Sequence, residues 1–343
     1  MLLYTFRRLN LFLVTVLLLA LFSFSLTHLG PGTAVSHLAN TDDMNATQLA
    51  QLQTQYHLHD SLPRQFYYYL KRIFSGDWGY SLVNNEPVWP LLMRTLPATL
   101  ELIFSAMLLA LLIGIPTGAL AAMYRRSATD YAVQGLALAG YSIPIYWWAL
   151  LLMMFFSLRL GWLPVSGRLS LLYDIPPKTG FMLIDIWLSD TPHRLAALKD
   201  ALAHLVMPAL VLATVPLAVV ARLTRATLKD VLKANYIRAA RARGWSQWRI
   251  VRRHGLHNAL LPIGRVLGLQ IAALLSGTIV TESIFDWPGV GNVLINSIYA
   301  RDVPVIQGCL LLLSTFVILV SVVTDILFTT LDPLHRKRLY AKP

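Results

Sequence analysis

Charge is scarce in this sequence, so charged side chains inside apolar stretches are the first candidates for chemistry. Glu101 opens one apolar run, Arg265 begins another, Glu282 closes it and Asp325 lies late in the last. Glu101 reads either as an interfacially solvated carboxylate or as a contact for a substrate amine. Asp325 is expected to find a structural partner in Arg222, Arg225 or Arg265 rather than to act in transport. Glu282 and the turn Trp287-Pro288-Gly289 read as an outer gate or as a packed corner. Pro144, Pro208 and Pro216 fall inside apolar runs, where a missing N–H frees a carbonyl and permits a bend. Such bends can serve gating or be simple kinks.

Enzymatic patterns are missing. No G-x-x-x-x-G-K-[ST] phosphate loop is present, so the chain is not expected to hydrolyse ATP. H-E-x-x-H and G-x-S-x-G are absent too. His254 and His257 share helical spacing but have no carboxylate or cysteine nearby in sequence, and they read as a surface pair. The single cysteine, Cys309, excludes an internal disulfide and a cysteine-based zinc site, and reads as a small buried side chain.

The most informative stretch is Asn235–Pro262, N-Y-I-R-A-A-R-A-R-G-W-S-Q-W-R-I-V-R-R-H-G-L-H-N-A-L-L-P. Ala239, Ala240 and Ala242 favour a helix. Gly244 suits the left-handed residue that ends it, and Ser246 suits the N-cap of a second helix. Ile237, Ala240 and Gly244 are expected on one small face that another backbone could approach closely. Arg238, Arg241, Arg249, Arg252 and Arg253 supply charge. By residue type alone the elbow could contact anionic headgroups or dock on a partner protein.

The elements that must position these residues are membrane spans. Of 343 residues, 56% are hydrophobic and 13% charged, against about 45–50% and about 25% in soluble domains. Six runs reach the roughly 20 residues that cross a bilayer: about Leu9–Leu29, Leu102–Met123, Tyr131–Leu158, Ala201–Ala221, Asn258–Thr281, and Val303–Thr324 running on to Thr330. The first reads as a retained anchor, since its apolar stretch exceeds a signal peptide's. The expected layout is an N-terminal helix over 1–29, a loop or cap over 30–94, a five-helix core over 95–330 and a tail over 331–343.

Lys and Arg set the orientation. One side would hold Arg7, Arg8, Arg125, Arg126, ten basic residues from Arg222 to Arg253, and the tail's Arg336, Lys337, Arg338 and Lys342. Only Asp130, Asp230 and Asp332 oppose them. Ten basic residues on the other side are balanced by acids running from Asp42 to Asp302. Both termini and the elbow, 222–257, are therefore expected in the cytoplasm. This asymmetry explains the net charge of +12 by a lipid bilayer, with no nucleic acid.

Several segments carry a family resemblance. Arg238-Ala239-Ala240-x-x-x-Gly244 resembles the E-A-A-x-x-x-G signature of permease subunits of ABC importers. Arg238 replaces the Glu, His254 an Ile and His257 a Pro, while Leu256 matches. Thr95-Leu96-Pro97-Ala98-Thr99-Leu100-Glu101-Leu102, Tyr141-Ser142-Ile143-Pro144 with Trp147-Trp148, and Leu163-Pro164-Val165-Ser166-Gly167-Arg168 are similar to peptide permeases. So are Thr281-Glu282-Ser283-Ile284-Phe285-Asp286-Trp287-Pro288-Gly289-Val290-Gly291, Arg301–Gly308, and Asp325-Ile326-Leu327 with Asp332-Pro333. Phe181–Asp185 favours the dipeptide and Sap-like branches of the B-type permeases. Pro31-Gly32-Thr33-Ala34 departs from the family's P-G-D-P.

The resemblance implies an all-α membrane protein with the type I ABC importer permease fold, in a bacterial inner membrane. It implies a second homologous permease, two ATP-binding subunits carrying ATP and magnesium, a periplasmic substrate-binding protein and a peptide substrate. This chain would hold no cofactor. Ile237, Arg238, Ala239, Ala240, Gly244 and Leu256 would couple to the ATPase, and Glu101, Pro144, Glu282, Trp287 and Asp325 are candidates for the pathway or its gate. Antimicrobial peptides, a polyamine or nickel remain open as cargo. An ATP-independent channel or membrane enzyme is the reading from another class.

Overall fold

The computed structural model describes residues 2–29, 45–55 and 57–331, and they are almost wholly helical. In chain order the helices are α1 Leu2–Leu29, α2 Ala46–Gln55, α3 Leu62–Phe74, α4 Val88–Met123, α5 Ala128–Ser142 and α6 Ile145–Leu152. Then come α7 Met182–Leu188, α8 Arg194–Val231, α9 Asn235–Ala242, α10 Gln247–Ile250, α11 Leu256–Ile284, α12 Val290–Ala300 and α13 Val303–Leu331. A π-helical stretch extends α6 to Arg159, and another joins α10 to α11.

Among the described residues, α1, α4, α8, α11 and α13 are each long and apolar enough to cross a membrane. The expected span Tyr131–Leu158 is instead two helices, α5 and α6, meeting at 106°. The break falls at Ile143-Pro144, where Ile143 is forced extended (φ −81°, ψ 126°) ahead of the proline. The pair still crosses the bundle. Asp130, in the first turn of α5, binds Arg225 near the end of α8. Beyond α6, Arg168 binds Glu101 in the first half of α4, and Gly167 N–H donates to Phe285 O at the end of α11.

Two contacts fix the direction of α1. Near its start, Arg8 pairs with Asp325 near the end of α13 at 3.0 Å. Near its end, the Gln307 amide of α13 donates to Ser23 O at 2.8 Å and to Thr27 Oγ1 at 2.7 Å. α1 and α13 are therefore antiparallel neighbours. With six crossings, the start of α1, the end of α13 and the elbow α9–α10 lie at one end of the bundle. Asp325 does find a structural partner, but it is Arg8 and not Arg222 or Arg225. The reason is packing: α13 lies on α1, α11 and α12, while Arg225 of α8 faces α5. The Arg265 side chain lies outside the described residues, as do Pro31–Ala34 and the tail from residue 332.

The core is built on α4 and α8, the most extensively packed pair. Small residues let the two backbones close up, which in a bilayer is a main source of helix association. A Cβ at Gly118 would sit 2.4 Å from the Ala221 carbonyl oxygen. The loop 30–94, read as a cap or interfacial helices, carries α2 and α3 in its described part, with α3 against α1 through Phe24 and Tyr69.

Gly118→Leu should therefore separate α4 from α8 and destabilise the chain by about 1–3 kcal/mol, the usual cost of overpacking. Thermal denaturation of the purified protein measures this. A melting temperature equal to wild type would show that the helices are not in backbone contact there.

Candidate functional site

Helix α9 is short, and its polarity is divided by burial. Ile237 and Ala240 point inward and are buried. They pack in one apolar cluster with Ala119 and Ala122 of α4, Leu228 and Leu232 from the end of α8, and Ile250, Val251, Ala259 and Ile263. Tyr236, Arg238, Ala239, Arg241 and Ala242 face outward. The small face expected to meet another backbone is thus occupied by this chain itself. Gly244 does not share it. The helix stops at Ala242, so helical periodicity no longer applies two residues later.

Gly244 adopts φ +79°, a left-handed geometry that only glycine enters freely. Its N–H closes the turn to Arg241 O at 2.9 Å, while a Cβ there would meet no atom within 4 Å. Its contribution is therefore conformational. Ser246 has the extended N-cap backbone, but its side chain makes no capping bond; Ile250 N–H donates to its carbonyl instead. The Gln247 amide donates to Met123 O at the last turn of α4. Trp245 stacks on His254 at 5.5 Å, with the guanidinium groups of Arg249 and Arg253 5.9 and 5.5 Å from its ring. Leu256, half-buried, packs on the same cluster. The elbow is thereby fastened to α4, α8 and α11 as one body, with a basic and aromatic outer surface.

The opposite end holds several buried carboxylates, Glu101, Asp185 and Glu282 among them. Glu101 is not interfacially solvated. The Arg168 guanidinium donates to its Oε2 from Nε at 2.9 Å and from Nη2 at 2.5 Å, and Leu183 N–H donates to Oε1 at 3.1 Å. Arg168 also donates to Gly180 O and lies 5.7 Å from the Trp287 ring. Asp185 organises the loop that supplies these groups, accepting from the Thr179 hydroxyl and N–H and from Gly180 N–H. Burial pushes its carboxyl up, but these hydrogen bonds outweigh that and hold it below the ordinary aspartate value.

Glu282 and Trp287 form a packed corner. Glu282 Oε2 accepts from Gly291 N–H at 2.7 Å and Asn292 N–H at 3.1 Å, so the carboxylate caps the start of α12, where negative charge is favoured. A Cβ at Gly289 would lie 2.4 Å from the Glu282 carboxyl carbon, which explains the glycine. Trp287 is buried and donates to Ala98 O of α4 at 2.9 Å. Pro144, by contrast, sits exposed at the α5–α6 break beside exposed Tyr141, Tyr146 and Trp147.

Sequence reasoning did not pair Arg168 with Glu101, or Asp130 with Arg225. The partners are 67 and 95 residues apart, and no local spacing links them. Ser127 three residues before Asp130 was a usable local sign, since the Ser127 hydroxyl does cap α5.

Residues 1–103 match the family model for the N-terminal part of binding-protein-dependent transport system membrane components, and residues 114–337 match that for binding-protein-dependent transport system inner membrane components. The chain belongs to this family. It is a multi-pass, non-catalytic inner-membrane permease with the fold of ABC importer permeases. Similar proteins include the di/tripeptide transport system permease DppB of Pseudomonas aeruginosa, 46% identical over 95% of this chain and 96% of that one. The dipeptide transport system permease DppB of Escherichia coli K12 is 42% identical over 98% and 100%. The protein named putrescine export system permease SapB of the same strain is 40% identical over 99% of each chain. Among solved structures, the inward-facing MetNI methionine ABC transporter matches with a TM-score of 0.54 at 18% identity, over 71% of this permease and 96% of that chain.

In the permease, the Glu101–Arg168 pair should behave as a buried ion pair. Glu101→Leu alone should cost about 3–5 kcal/mol by leaving the guanidinium unpaired, and the double variant with Arg168→Leu should recover much of it. A double-variant thermal denaturation cycle reads the coupling. Simple additivity would show that the two charges do not depend on each other.

Proposed function

We propose that this permease forms half of the translocation pathway of an ATP-driven peptide importer. It would pair with a second homologous permease, two ATP-binding subunits that carry ATP and magnesium, and a periplasmic substrate-binding protein. The observation that carries the reading is the elbow. Its buried side fastens it to α4, α8 and α11, and its outer side presents Tyr236, Arg238, Ala239 and Arg241. A docked ATP-binding subunit that moves this surface moves three spans together. ATP-driven closure of the ATPase dimer would then turn the bundle from inward- to outward-facing, a rigid-body transition between two packed states.

The excess of Lys and Arg at the elbow end supports a cytoplasmic placement, and the Glu101–Arg168 end would face the periplasm. A dipeptide is the favoured cargo, because the relatives named for di- and tripeptides match along nearly the whole chain. The relative named for putrescine export makes a polyamine the competing cargo.

The test is ATP-dependent uptake of labelled dipeptide into proteoliposomes holding the assembled complex and binding protein. Dipeptide should accumulate and unlabelled dipeptide should compete, with putrescine ineffective; the reverse pattern would replace the cargo. Gly244→Trp forces a bulky L-residue into φ +79°. It should cut uptake by about tenfold or more while ATP hydrolysis and membrane insertion persist. Normal uptake by that variant would remove the coupling role from the elbow. A reporter fused after Arg126 should read as cytoplasmic, and one after Arg168 as periplasmic; swapped signals would invert the orientation.

A further inference from the structure

We propose that the cleft between α1, α3 and α13 is a binding site for one anionic phospholipid, with an acyl chain in its apolar part and the phosphate against Lys71. This site lies apart from both the elbow and the Glu101 corner.

The cleft has two parts. The first is an apolar groove of about 760 Å³, lined among others by Leu13 and Leu17 of α1, Ile73 and Phe74 of α3, Trp89, and Leu312 of α13. The second is a mixed cavity of about 300 Å³, where Phe24 and Leu58 stand beside the polar His28, Gln65, Lys71 and Arg72. Ser75 lines both, so the two parts meet at the end of α3.

Depth matches a lipid. At 1.5 Å rise per residue, Leu17 and Leu13 lie about 18 and about 24 Å down α1 from Leu29, within the hydrocarbon. His28 is next to the helix end. The groove is thus apolar where lipid tails reside, and the cavity adds basic and polar groups where headgroups begin. Helix α3 itself suits that boundary. Phe66, Tyr69, Leu70 and Ile73 recur at helical spacing and are partly buried, while Arg64, Tyr67 and Lys71 are exposed. Tyr69 hydroxyl donates to Ser23 Oγ at 3.1 Å, which anchors α3 on α1. An amphipathic helix with tyrosines and basic residues at this level belongs in the interface.

Charge selects the headgroup. Among the described residues, two carboxylates pair with the basic cluster, and both are engaged. Asp60 pairs with His57 at 3.2 Å, and Asp77 with the Arg72 Nε at 3.2 Å. The Lys71 ammonium lines the cavity with no ion-pair partner among the described residues. It is the group left to take a phosphate. A soluble partner would reach the cavity but not the groove at hydrocarbon depth. A helix of another subunit would fill the groove but bring no anion to Lys71.

The test uses the assembled importer in phosphatidylcholine nanodiscs doped with phosphatidylglycerol carrying a photoactivatable acyl chain, with adducts mapped by mass spectrometry. Labelling should concentrate on Leu13, Leu17 and Leu312 over Phe104 and Leu158, which are exposed apolar positions elsewhere. Lys71→Gln should reduce it about fivefold, the worth of one lysine near an anionic headgroup, and should leave labelling by photoactivatable phosphatidylcholine unchanged. Leu17→Trp, at an exposed position of the groove, should block both lipids. Equal labelling at groove and control positions would overturn the proposal, as would indifference to both variants. A cross-link from Leu17 to another subunit in place of lipid would assign the cleft to that subunit.

Discussion

Burial of Ile237 and Ala240 in the cluster shared by the ends of α4, α8 and α11 is the contact that ties the elbow to the bundle, and the proposed coupling rests on it. An elbow that touched the bundle only through its two chain connections would bend when pushed. With two apolar side chains fully or almost fully withdrawn from solvent and Gln247 tied to Met123, bending would expose apolar surface and break a helix-terminal hydrogen bond. Close packing of this kind transmits displacement, because a packed core has few intermediate arrangements. The outer side of the same helix is left free to bind.

Rigidity at the other end is electrostatic. Glu101, Arg168, Asp185 and Glu282 are withdrawn from water, yet each meets an opposite charge or a set of N–H donors. In a bilayer an unpaired charge is costly, so these partners fix which segments sit together. The Glu101–Arg168 pair joins α4 to the loop after α6, and Glu282 joins α11 to α12. Trp287 closes the same corner onto α4. Between the two stiff ends lies the α5–α6 break at Pro144, where the path of the chain turns sharply.

Much of this was legible in the sequence because the physics is local. Span number follows from apolar length, a bend at 144 from a proline (though not the 106° split of the expected single span), and the left-handed turn at 244 from a glycine after an alanine-rich helix. Other features depended on tertiary packing. Periodicity placed Gly244 on the face of Ile237 and Ala240, but the helix ended first. Asp325 showed that it needed a cation, yet Arg8 lies more than three hundred residues away in sequence, across α1 and α13. The motif Glu282–Gly291 was conspicuous, but only burial distinguishes a gate from a corner. Most of its residue types have a packing or capping task.

The central claim, that the elbow moves as one body with the spans it joins, is tested most directly by a distance measurement. Spin labels at Arg241→Cys and Tyr124→Cys, both exposed positions, would report on the elbow relative to the end of α4. The one native thiol, Cys309, is buried and need not interfere. The account predicts that this distance stays the same with and without ATP in the assembled complex, while the distance from Tyr124 to the second permease changes. A shift of several ångströms between elbow and α4 on adding ATP would contradict it.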